Sequence, residues 1–125
     1  CTLGDSYKQK VLLEKALVIT EKHYGPEHYH VASVLGNLAA AHGALGDLHT
    51  GKALQARALA IREKQYGPDH YEVAINLYNL AVAYGRLGDL TRKKVLLERA
   101  LPIMVDHFGE QHSHVECVKR HLAAV

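Results

Sequence analysis

The chain has 125 residues, of which 48% are hydrophobic and 22% charged, with a formal net charge of +2. That is the make-up of an ordinary globular module, so extended disorder is excluded, and the weak charge gives no support to a nucleic-acid or anionic-membrane partner. No apolar run approaches the roughly 18 to 20 residues of a membrane span, and two cysteines, Cys1 and Cys117, are too few for a disulfide framework. Free thiols in an intracellular, cytoplasmic protein are expected.

The chain opens on Leu3-Gly4-Asp5, which returns 42 residues later as Leu45-Gly46-Asp47 and again as Leu87-Gly88-Asp89. Tyr24-Gly25-Pro26-Glu27-His28 keeps the same interval in Tyr66-Gly67-Pro68-Asp69-His70 and, degraded, in Phe108-Gly109-Glu110-Gln111-His112. A fixed period of this size marks stacked supersecondary units, none of which buries its apolar face alone. The expected organisation is a single array over residues 1–125: the second helix of a truncated repeat (1–28), full repeats at 29–70 and 71–112, and the first helix of another (113–125).

In the first helix of each repeat, Val31, Leu35, Leu38, Ala39 and His42 form one helical stripe, as do Val73, Leu77, Leu80, Ala81 and Tyr84. Gly46 and Gly88 then suit the left-handed end of a helix, and Asp47 and Asp89 suit the cap of the next, which makes a tight helical hairpin. Second helices carry Leu54, Ala58, Leu59 and Ile61, with Arg62 as a departure, and Leu96, Ala100, Leu101, Ile103 and Met104. Pro102 falls inside the last of these, where it forfeits the hydrogen bond to Glu98 and is expected to bend the helix. Gly-Pro at 25–26 and 67–68 breaks the chain between repeats. No strand signal appears. The fold class is therefore all-α: an α-solenoid of antiparallel helix pairs, six helices, starting and ending in mid-repeat.

Armadillo and HEAT units share this period. Asn37-Leu38-Ala39 with Gly46-Asp47, Arg57-Ala58-Leu59-Ala60-Ile61, Asn79-Leu80-Ala81-x-x-Tyr84 with Gly88-Asp89, and Arg99-Ala100-Leu101 instead resemble tetratricopeptide repeats. The 42-residue spacing and the Tyr-Gly-Pro-(Glu/Asp)-His junction resemble the long variety found in kinesin light chains and nephrocystin-3-like proteins. Two departures stand out: Leu35 or Leu77 replaces an early tryptophan, and a small position of the second helix holds Gln9, Gly51 and Lys93.

The resemblance implies a protein-interaction scaffold whose first helices line a concave groove. At 100° per residue, Ile75, Asn79, Val82 and Arg86 lie opposite the core stripe, beside Tyr78. The matching sets are Ser33, Asn37, Ala40 and Ala44 beside Gly36, and Cys117, His121 and Ala124 beside Arg120. Asn37 and Asn79 occupy the family's peptide-binding position, where an amide both donates and accepts; His121 replaces them in the last repeat. The expected partner is a protein or peptide segment. Only Arg86 and Arg120 are inward cations, too few for a clamp on a terminal carboxylate. Lys93 and Lys94 are expected on the outer wall.

Three other functions are weighed and set aside. His28-x-His30 and His112-x-His114 are paired, but His70 is followed by Tyr71-Glu72, and histidines of successive repeats lie too far apart to share an ion. No metal or other cofactor is expected. No phosphate loop, His-Glu-x-x-His or nucleophile elbow is present, so no enzyme is expected. The basic runs lack the aromatic interleaving of a single-strand binder, so no nucleic acid is expected. The alternative function is a structural spacer without a peptide ligand, stacking head to tail through Val115, Val118 and Leu122 of the last helix.

Overall fold

A computed structural model describes residues 3–123, with side chains from Ser6 onward. Among these residues there are six helices and no strand: α1 (Leu3–Tyr24), α2 (Tyr29–Ala44), α3 (Leu48–Tyr66), α4 (Tyr71–Arg86), α5 (Leu90–Phe108) and α6 (Ser113–Ala123). They form two compact units, one ending at Gln65 and one beginning at Tyr66. The first Leu-Gly-Asp is helical from Leu3 rather than a turn. Cys1 and Ala124, named above, lie outside the described residues.

In the first unit, Val31, Ala32 and Leu35 of α2 form a buried cluster with Ala58 and Ile61 of α3, flanked by Leu17 of α1 and Leu54. In the second, Val73, Ala74, Leu77, Leu80 and Ala81 of α4 are buried, as are Leu97, Ala100, Ile103 and Met104 of α5 and Val115 and Val118 of α6. The stripe expected on the first helices is thus the core stripe. On α5 the side chain turned fully inward is Leu97, and its neighbour Leu96 is only half-buried. Burial of apolar area supplies the main stabilisation, at about 25 cal/mol per Å².

Both hairpin turns form as the Gly-Asp pairs require. Gly46 and Gly88 each adopt φ 86°, which places a Cβ-free residue in left-handed space, and Asp47 N and Asp89 N donate back to His42 O and Tyr84 O at 2.9 Å. Asp47 Oδ1 then accepts from Thr50 N at 3.4 Å and Asp89 Oδ1 from Arg92 N at 3.2 Å, which caps the following helices.

The repeat junctions are built around histidine. The Nδ1 of His28, His70 and His112 accepts from the backbone N–H two residues on, at 3.2, 3.1 and 3.1 Å, and so satisfies a donor left open by the helix start. Each capping ring stacks on the aromatic residue before the glycine: Tyr24 and Tyr66 at 4.4 Å, Phe108 at 4.5 Å. The recurring histidines are helix caps.

α5 runs through Pro102, whose ring faces solvent. An exposed site accommodates the lost hydrogen bond because water reaches the freed carbonyl.

Candidate binding face

Burying one stripe of α4 against α5 leaves the opposite stripe outside. Asn79 and Arg86 are exposed there, and Ile75, Tyr78 and Val82 are half-buried. On α6 the inward turn of Val115 and Val118 leaves Arg120 exposed and Cys117 and His121 half-buried. The Tyr78 ring meets the His121 ring edge-on, with centroids 5.4 Å apart and planes at 76°. Burial raises the Tyr78 phenol above its ordinary value, Cys117 adds to this, and Arg120 opposes it. Burial, followed by the charges of Lys93 and Arg120, lowers the His121 imidazole.

Lys93 is therefore not the outer-wall side chain its sequence position suggested. It is half-buried, with Cδ, Cε and Nζ passing over Gly85, and its charge is felt at His121. The signal was present: the equivalent residue is Gly51, and a long side chain where the other repeat has glycine must lie along whatever surface it meets. In the first unit Gly51 lets the helices close up, its missing β-carbon lying 3.2 Å from Ala39 O.

The matching face of α2 is smaller and flatter. Ser33, Asn37, Ala40 and Ala44 are exposed beside half-buried Gly36. Ser33 Oγ donates to Tyr29 O at 3.4 Å and accepts from the Arg62 guanidinium at 3.3 Å. Asn37 thus belongs to the first unit, whereas Tyr78, Asn79, Arg86 and Arg120 belong to the second.

The residues expected to stack lie on α6. Val115 and Val118 have no exposed surface, because α6 turns them into the core of the second unit, and Leu122 is half-buried. The outward side of α6 carries His114, Glu116, Lys119 and Ala123. On α1, Leu12, Val18 and Ile19 are exposed.

The paired histidines at 28 and 30 and at 112 and 114 stack on each other at 5.0 and 4.9 Å. No group of three or more His, Cys, Asp or Glu among the described residues is arranged to hold a metal ion. No helix among them is long and apolar enough to cross a membrane.

The tetratricopeptide repeat family model matches residues 30–106, more than half of the chain. The chain belongs to the tetratricopeptide repeat family. Its structure is similar to the nearly identical TPR-like repeats of a Podosopora anserina protein described as a kinesin light chain, with TM-score 0.89 and 25% identity over 97% of this chain and 57% of that one. A single-substitution form of the same protein gives the same values. BtubC (BKLC) from P. vanneervenii is similar at TM-score 0.88 and 28% identity, over 97% of this chain and 48% of that one. The chain spans about half the length of these structures. Among curated proteins none matches. These tetratricopeptide repeats are thus of kinesin-light-chain type: an all-α helical-repeat fold of the solenoid class, of a kind that generally serves protein interaction.

Proposed function

We propose that the chain is a non-catalytic interaction scaffold that holds a peptide segment of a partner protein against the faces of its first helices. The observation that carries this reading is the α4–α6 face. Apolar Ile75 and Val82, the exposed amide of Asn79 and the cation Arg86 lie on that stripe of α4, and the Tyr78–His121 ring pair, with Lys93 and Arg120 near His121, joins it to α6. An extended peptide offers alternating amide donors and acceptors, which Asn79 matches, while apolar side chains suit Ile75 and Val82. The added cation at Lys93 favours a peptide with acidic residues. The free thiol of Cys117 suits a reducing, cytoplasmic setting.

The test is selection of peptides from a display library on the immobilised chain, followed by affinity measurement on Tyr78→Ala/Asn79→Ala. A loss of about tenfold or more with helicity unchanged supports the reading; unchanged affinity removes it. The spacer alternative draws on the apolar surface of α1, with Leu12, Val18 and Ile19 exposed.

A further inference from the structure

The start of α4 and the end of α5 flank an open surface depression of about 340 Å³ lined by Asp69, His70, Tyr71, Ile103, Asp106 and His107. Ile103 is buried and forms its floor, while Asp69, Asp106 and His107 are exposed at its mouth. The Tyr71 and His107 rings stack at 4.0 Å with planes 9° apart, so one wall is flat and aromatic. His70 is committed to capping through Nδ1. Neither carboxylate has an ion-pair partner among the described residues.

The other repeat shows what the carboxylates lack. One period earlier, Glu27 stands for Asp69 and Lys64 for Asp106. There Lys64 Nζ bonds Glu27 Oε2 at 2.7 Å, and Gln65 Nε2, at the position of His107, lies 3.5 Å from Glu27 O. The first unit thus supplies its own cation to this corner. The second replaces that cation with another carboxylate and exchanges the amide for an aromatic ring.

We propose that this open depression receives an arginine side chain from a protein partner. A planar guanidinium donates to two carboxylates at once and stacks on an aromatic wall, which an ammonium ion does less well. The depression is open to solvent and has room for one side chain with its stem on Ile103. A metal ion is the poorer occupant, since the depression's acids and histidines do not form a ligand group. The site is distinct from the α4–α6 face, and either reading stands if the other fails.

The experiment is titration of the isotope-labelled chain with N-acetyl-arginine methylamide, followed by amide chemical shifts. Saturable shifts are expected at Asp69, Tyr71, Asp106 and His107, and the neutral citrulline analogue should leave them in place. Asp106→Lys, which restores the pattern of the other repeat, should weaken binding at least tenfold, and Asp69→Asn provides a second variant if the first misfolds. Shifts of equal size with citrulline, no saturable shift, or unchanged binding in both variants would overturn the proposal. So would saturation of the same residues by calcium chloride at lower concentration than the arginine probe, because the occupant would then be a metal.

Discussion

The aliphatic stem of Lys93 lies across Gly85, with its Cδ 2.8 Å from the point where a β-carbon on that glycine would stand. In the other repeat the equivalent pair is Gly43 and Gly51, and the neighbour of Gly51 is backbone, Ala39 O at 3.2 Å. Gly51→Ala should therefore destabilise the chain by about 1 kcal/mol, since overpacking against backbone outweighs the gain in helix propensity. Gly85→Ala should stay within about 0.5 kcal/mol, because a lysine stem moves aside more readily than backbone. Thermal unfolding of the two variants measures the difference.

His121 makes the Lys93 contact visible to titration. Its imidazole is lowered from 6.5 by burial first, then by Lys93 and Arg120. Lys93→Met removes one charge and keeps the stem, so the value should rise yet remain below 6.5. A lowered imidazole contributes stability above its ordinary value and loses it as pH falls. The raised phenol of Tyr78 acts at the opposite end, with stability present below its ordinary value and lost as pH climbs past it. Histidine ring shifts followed by NMR through a pH titration across the imidazole range check the first statement.

The three histidine caps accept hydrogen bonds through Nδ1, which only the neutral ring offers. His70→Ala should cost about 0.5 to 2 kcal/mol, and His70→Asn less, since asparagine caps but does not stack on Tyr66. Denaturant unfolding of both variants in one buffer makes the comparison. Equal stabilities for the two variants would show that stacking, rather than capping, fixes the junction.

Pro102→Ala places in α5 the residue that the other repeat has at position 60. Restoring the donor to an exposed helical site should raise stability by about 1 to 3 kcal/mol, read from the denaturation midpoint. No change would mean that water already satisfies the carbonyl the proline leaves free.

Helices and hairpins are legible in the sequence because their signals are local: a 3.6-residue stripe, a left-handed glycine, a capping aspartate. The junction histidines are recognisable as a recurring feature, but their role needs the direction of Nδ1. Sequence is ambiguous where two faces compete. Leu96 and Leu97 are adjacent and both apolar, so periodicity does not say which turns inward. Val115 and Val118 would equally suit a missing neighbour, whereas the core of the second unit already takes them. Lys93 carries a charge that suits a solvated face, although its stem is four carbons long and a glycine lies opposite.

The peptide-binding claim is tested most directly by mapping a library-selected peptide on the isotope-labelled chain. Amide shifts are expected on the first helices, at Asn37, Ile75, Tyr78, Asn79, Val82 and Arg120, with Tyr78→Ala/Asn79→Ala weakening binding by about 1 to 3 kcal/mol. Lys94→Ala/Val95→Ala, both exposed on the other side of the repeat, should leave affinity unchanged. Shifts concentrated on α5 around Lys94 and Val95, with the ranking of the two variants reversed, would contradict the first-helix face as the binding surface.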